Sequence, residues 1–221
     1  MVHLFDVDNT IIKNSTTYYF LLECLGAKAI RFRHIAALPF ELIRYTFGFA
    51  NQNFIEQAVT HLAGFEETTI DRLAQKAFDH RLKQNLYRDA EQLIRNLRVQ
   101  GESVHLATSS FYSVIRPLEQ YLELSDSITG HLEFVDGKTS GRVVGTVPFG
   151  ENKKIVVQAW LADRNFHAGD VAFYSDSYTD ISLLEICGRP VAVNPDRFLA
   201  KEAGKRGWEV LHFRDKNIIH E

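Results

Sequence analysis

The chain opens on a mostly apolar run, Val2-His3-Leu4-Phe5, that leads straight into Asp6-Val7-Asp8. This reads as a short buried strand over 2–7, and alternation along an extended chain puts Asp6 and Asp8 on one side. From Ser15 to about Arg81 the period changes. Tyr18, Leu21, Leu22 and Leu25 recur at helical spacing. A second helical stretch, about 28–47, carries Pro39 as a break and stops at Gly48. Two more, 51–62 and 69–82, lie on either side of Gly64. No strand pattern interrupts this block, which reads as a helical insert.

From Asp89 helices and strands alternate. The pattern predicts a helix over 89–99, a strand over 103–108 that ends in Thr108-Ser109-Ser110, and a helix over 113–122. Residues 127–147 read as a hairpin that turns at Asp136-Gly137. A helix starts near Glu151 with Val157, Trp160 and Leu161 on one face, and a strand over 171–175 ends in Asp176. Helix 179–186, strand 190–194, helix 196–205 and a last strand within 208–213 complete the chain. Short apolar strands alternating with helices predict the α/β class, a parallel sheet covered on both faces. Ligands bind such sheets at the carboxyl ends of strands, where Asp6, Asp8, Thr108, Ser109 and Asp176 all fall.

The 221 residues suffice for one large domain or for a core with a smaller insert. A net charge of -3 argues against a dedicated nucleic-acid binder, and basic residues cluster only briefly, at Arg31–Arg33 and Lys153–Lys154. Cys24 and Cys187 lack any paired spacing and read as buried free thiols, which points to a reducing compartment. The start of the chain lacks the pattern of a signal peptide. The most apolar internal segment, Ile35 to Ile43, is broken by Pro39 and Glu41 and is too short to cross a bilayer. The expectation is a cytoplasmic protein with no membrane or nucleic-acid partner. The oligomeric state is not legible.

Two carboxylates held close repel each other, and the usual offsets are a divalent cation or a retained proton. Asp6 can act as a nucleophile, and Asp8 as acid and then base. The Thr108 hydroxyl and neighbouring backbone N–H groups can hold phosphate oxygens. Asp176 and Asp180 come from the run Ser-Asp-Ser-Tyr-Thr-Asp, and Asp180 falls near a helix start, where capping and the dipole favour an acid anyway. Lys153, at a helix start after Gly150, brings a compact positive charge. Mg²⁺ suits such a set of hard oxygens, whereas zinc would want His and Cys spacings that are missing here. His3 and His105 lie within strands and read as packed residues. Taken singly, each motif has an ordinary structural explanation: a helix cap, a solvated lysine, a chance pair of acids. Their order and their placing at strand ends carry the argument.

These residues resemble the motifs of the haloacid-dehalogenase-like (HAD) superfamily of phosphohydrolases. Phe5-Asp6-Val7-Asp8-Asn9-Thr10 is similar to its first motif, and the strand ending at Thr108 to its second. Lys153 resembles the third-motif lysine, with Lys154 as runner-up, and 174–180 resembles the fourth motif, with Ser175 where glycine is common. The hairpin and the tail 189–211 are similar to subfamily IB, which contains the phosphoserine phosphatases. The resemblance implies a Rossmann-like core over 1–12 and 84–221 and a C1-type helical cap over 13–83. It implies a small-molecule phosphate monoester as substrate, Asp6 as nucleophile and Asp8 as acid and base. Asp6, the Asp8 backbone carbonyl and Asp176 would hold Mg²⁺. Thr108, Ser109 and Lys153 would bind the phosphoryl group, with Asp180 supporting Lys153 or the metal. Asp8 argues against dehalogenation. Phosphotransfer to an alcohol, or phosphate binding without catalysis, are the alternatives. Phosphoserine is disfavoured as substrate: Ser15 stands where a glutamate would grip its ammonium, and Ala58 near where an arginine would grip its carboxylate. Arg31, Arg33, Arg44 or Glu56 could substitute. The insert is rich in aromatics, Tyr18, Tyr19, Phe20, Phe40, Tyr45, Phe47 and Phe54, which read mostly as its own core.

Overall fold

The computed structural model describes residues 1–27 and 52–214. The helical expectation over 28–47, with Pro39 and Gly48, lies outside the described residues, as do Arg31, Arg33 and Arg44. The strands are β1 (Val2–Phe5), β2 (Ser103–Phe111), β3 (Ser127–Val135), β4 (Lys138–Val144), β5 (Val171–Ser175), β6 (Arg189–Val193) and β7 (Glu209–Leu211). They form one sheet in the order β4-β3-β2-β1-β5-β6-β7. Only the β3–β4 pair is antiparallel. The chain builds outward from β1 to β4, then crosses back to lay β5, β6 and β7 on the other side of β1. The seam between β1 and β5 is therefore the switch point where a crevice opens at the carboxyl edge.

Both faces of the sheet are buried, and β1 shows how. Leu4 packs with Phe173, Val157, Leu161 and Leu184, while its neighbour Phe5 points the other way into Leu106, Ile94, Ile115 and Tyr174. Phe5 and Tyr174, paired across β1 and β5, stack with ring centroids 4.1 Å apart. Flanking helices present their stripes at helical spacing: Ala90, Ile94 and Leu97 in the helix Arg88–Val99. A third cluster joins Phe20, Cys24, Ile70, Leu73, Ala74 and Ala77 to Val114, Leu132 and Val147.

Between Ile12 and Leu86 the described residues are helical: Thr16–Gly26, Gln52–Val59 and Glu67–Ala77, joined by shorter turns. The two ends of this segment meet. Lys13 N–H donates to Asn85 O at 2.9 Å and Tyr87 N–H to Ile11 O at 3.0 Å. The helix expected over 69–82 is shorter. It ends at Ala77 and continues as a wider π turn over Phe78–Leu82.

Several boundaries differ from the sequence expectation. β1 stops at Phe5, not at residue 7. Asp6 N–H still reaches Tyr174 O at 2.9 Å, but Val7 O then accepts from Thr10, Ile11 and Ile12, which folds the chain back. β2 runs on to Phe111, three residues past Thr108, because a register shift lets Phe111 pair with Gly130 of β3. The helix expected over 179–186 is a 3₁₀ turn, Tyr178–Asp180, followed by one α turn, Ile181–Leu184. The hairpin turns at Asp136-Gly137 as expected, both at positive φ (50° and 73°), the conformation that favours this dipeptide.

Candidate active site

Asp6, Asp8, Ser109, Lys153, Asp176 and Asp180 line one cavity of about 970 Å³ at the carboxyl edge of β1 and β5. Thr108 is not in its wall. The Thr108 side chain is buried within β2, and its Oγ1 accepts from Ser110 N–H at 3.3 Å. Ser109, the next residue along the strand, faces the cavity instead.

Lys153 is the hub. Gly150, at φ 55°, swings the chain into the helix Glu151–Asp163, and Lys153 sits in its first turn. The lysine is 3% exposed. Its Nζ donates to Asp180 Oδ2 at 2.7 Å and lies 3.3 Å from Asp6 Oδ1. Asp180 Oδ2 also accepts from Ser175 Oγ at 2.7 Å. Asp180 stands at the start of the turn Ile181–Leu184 but makes no side-chain cap bond there; the preceding 3₁₀ turn is capped by Ser177, whose Oγ accepts from Thr179 N–H. The fold spends Asp180 on the lysine because both are buried and each needs the other's charge.

Thr10 ties the β1 loop to the β5 loop. Its Oγ1 accepts from Asp176 N–H at 3.0 Å and donates to Asp176 Oδ1 at 3.2 Å. Asp8 faces the first turn of the helix Thr16–Gly26. Its Oδ1 accepts from Thr16 N–H and Thr16 Oγ1, each at 2.8 Å, and Thr16 Oγ1 lies 2.6 Å from Ser110 Oγ. Asp8 Oδ2 is buried with no hydrogen-bond partner among the described residues. Sequence reasoning gave Thr10, Thr16 and Ser110 no role. Thr10 stood within the first motif, but nothing in the order of residues announced that Thr16 and Ser110 would meet Asp8.

The electrostatics follow from four carboxylates, Asp6, Asp8, Asp176 and Asp180, crowded around one ammonium. Burial, then repulsion from Asp180 and Asp8, outweighs Lys153 and lifts Asp6 to about 7. Burial and the neighbouring Asp6 and Asp180 hold Asp176 well above the usual range. Burial raises Asp8 too, against the two hydrogen bonds from Thr16. Burial disfavours the charge on Lys153, but Asp180 and Asp6 win and hold it firmly protonated.

This donor set fits a hard divalent cation. Among the described residues the anionic donors are all oxygen, no His or Cys lines the cavity, and the carboxylates outnumber the one lysine. Among the described residues no group of three or more His, Cys, Asp or Glu side chains is placed to hold a metal ion by side chains alone. A set of two carboxylates and a backbone carbonyl is what Mg²⁺ takes when waters and a substrate oxygen complete its shell.

The family model for haloacid dehalogenase-like hydrolases matches residues 3–185. The chain belongs to that family. This hydrolase is 26% identical over 215 residues to phosphoserine phosphatase SerB1 of Mycobacterium tuberculosis, covering 95% of this chain and 70% of that protein. It is 35% identical over 126 residues to a histidinol-phosphatase of Neisseria meningitidis, covering 55% of this chain and 57% of that protein. Among solved structures, a Bordetella pertussis Tohama I protein of unknown function superposes with a TM-score of 0.84 at 28% identity, covering 95% and 97% of the two chains. No helix among the described residues is long and apolar enough to cross a membrane. Cys24 and Cys187 are buried and free, and burial lifts both thiols to about 12. His3 contacts Tyr174 Oη and His105 contacts Ser103 Oγ, both away from the cavity.

Proposed function

We propose that this hydrolase is a Mg²⁺-dependent phosphomonoesterase that works through a phosphorylated Asp6. The observation that carries the reading is the single cavity shared by Asp6, Asp8, Lys153 and Asp176 at the β1/β5 seam. Val7 N–H (2.8 Å) and Lys153 hold Asp6 Oδ1, which leaves the second carboxylate oxygen to attack phosphorus. As the Asp6–phosphorus bond forms, the bond to the alcohol oxygen breaks, and Asp8 gives that oxygen its proton. Burial raises Asp8, which favours its protonated form and so its role as proton donor. Asp8 then takes a proton from water as the water attacks phosphorus, and phosphate and free Asp6 are released. Lys153, Ser109 and the backbone N–H groups that follow Thr108 would hold the phosphoryl oxygens.

Asp6, Asp176 and the Asp8 backbone carbonyl would hold Mg²⁺. When bound, the ion supplies the positive charge that phosphoryl transfer needs. Residues 13–83 would act as a helical cap over a core of 1–12 and 84–221, excluding water and selecting substrate. The pinned neck at Lys13–Asn85 and Ile11–Tyr87 supports those limits. Ser15 lines the cavity where an ammonium-binding acid would stand, which supports a preference for alcohols other than phosphoserine.

The test is Asp6→Asn assayed on an aryl phosphate with Mg²⁺. Turnover is expected to vanish, since an amide is a poor nucleophile and a weaker metal ligand. Wild-type turnover in that variant would refute the covalent mechanism. Product analysis in excess alcohol separates hydrolysis from phosphotransfer.

A further inference from the structure

The wall of the cavity beyond the carboxylates is aromatic. Four Phe and Tyr side chains are 36–53% exposed, the most among the described residues: Tyr18, Phe166, Tyr178 and Phe198. Three of them, all but Phe166, line this one cavity, and Phe149 joins them. Exposed aromatic surface gathered at one place marks a binding surface rather than incomplete packing.

The aromatic wall is also built. Asp196 Oδ2 accepts from Tyr178 N–H at 2.8 Å, and its Oδ1 accepts from Phe198 N–H at 2.8 Å and Leu199 N–H at 2.9 Å. One carboxylate therefore fixes the backbone of both rings, from the β5 loop and from the helix Arg197–Arg206. Asp196 N–H donates to Asp176 O at 2.8 Å, so this wall is registered to the carboxylate cluster itself. Tyr178 and Phe198 lie 6.0 Å apart between centroids, and the Arg197 guanidinium sits 4.4 Å over the Phe198 ring. Tyr18 approaches from the helix Thr16–Gly26.

We infer that this rim reads the alcohol half of the substrate, and that the preferred monoesters carry a planar aryl or heteroaryl ring close to the phosphate. The inference rests on the phosphatase reading above, which puts the phosphoryl group among the carboxylates and leaves its alcohol at the rim. A flat ring can stack face-to-face on one of Tyr178 and Phe198 and meet the other, tilted 53° to it, with its edge, whereas a puckered ring of equal carbon count meets the same walls without face-to-face contact.

The experiment is a matched pair: benzyl phosphate against cyclohexylmethyl phosphate. In both the leaving oxygen sits on a CH₂ group, so the chemistry differs little and recognition decides. A kcat/KM ratio of roughly five- to tenfold in favour of benzyl is expected, the size of an aromatic pair's preference. In the Tyr178→Leu, Phe198→Leu double variant, which keeps apolar volume, the ratio should fall close to unity. Circular dichroism and retained hydrolysis of the cyclohexyl ester would establish that the variant is folded. A wild-type ratio near unity, or a ratio the variant leaves unchanged, would overturn the inference while the phosphatase reading stands. Failure of the wild type to hydrolyse any monoester, p-nitrophenyl phosphate included, would sink both.

Discussion

The crowding of Asp6 has a cost that can be measured without substrate. Its carboxyl is lifted from 3.8 to about 7 in the metal-free protein. The folded state therefore holds that proton more tightly than the unfolded chain does. The associated stability is fully present below about pH 4, is lost as pH rises toward 7, and is flat above it. A shift of about three units corresponds to about 4 kcal/mol over the whole interval, of which roughly 3 kcal/mol falls between pH 5 and pH 8. For a protein of this size that is about 6–12 °C in Tm. Asp8 and Asp176, also raised, push in the same direction. His3 and His105 oppose it, because burial lowers both and a neutral buried histidine gains stability as pH rises. The measurement is therefore a difference: thermal or urea unfolding of wild type and Asp6→Asn in EDTA, from about pH 5 to about pH 8. Wild type should lose roughly 3 kcal/mol relative to the variant across that range. Mg²⁺ at about a hundred times its dissociation constant should return close to 3 kcal/mol to wild type at the alkaline end, and far less to the variant. A difference that stays flat with pH, or a Mg²⁺ response equal in both proteins, would refute the electrostatic account of the site.

Other outcomes follow from the same geometry. Thr16→Val removes the hydroxyl that holds Asp8 Oδ1 at 2.8 Å and should lower kcat by about 10- to 100-fold with little change in KM. Thr16→Ser should restore it, and an unchanged kcat in the valine variant would show that Asp8 needs no such support. Lys153→Met strands Asp6 and Asp180, at a cost of about 3–5 kcal/mol and a Tm lower by roughly 6–20 °C. A melt within two or so degrees of wild type would mean that those acids are neutral without the lysine. Asp8→Asn should still release nitrophenolate from p-nitrophenyl phosphate, a leaving group that needs no proton, but stall at the second step. Stopped-flow absorbance should show a burst followed by slow turnover, and steady wild-type kinetics would remove Asp8 from the role of base.

Some features were legible because they depend on local pattern. The apolar runs before Asp6 and Asp176 could only be buried strands, and Asp136-Gly137 could only turn tightly. The alternation of strands and helices fixed a sheet covered on both sides, and Gly150 followed by Lys153 marked a helix start. Other features were not legible because they depend on which strands become neighbours. Phe5 and Tyr174 are 169 residues apart in the chain, and their pairing is decided only by the crossover that lays β5 beside β1. Thr108 read as a strand end because the sequence could not show the register shift that carries β2 on to Phe111.

The sequence by itself determined the inventory of the site: which acids, which lysine, and that strand ends would present them. The tertiary structure alone decided their partners. Lys153 reaches Asp180 across 27 residues, Thr10 reaches Asp176 across 166, and Thr16 meets Ser110 across 94. The physical reason is burial. A charge or hydroxyl removed from water must find its partner wherever packing brings one, and that is set by the whole fold rather than by neighbours along the chain.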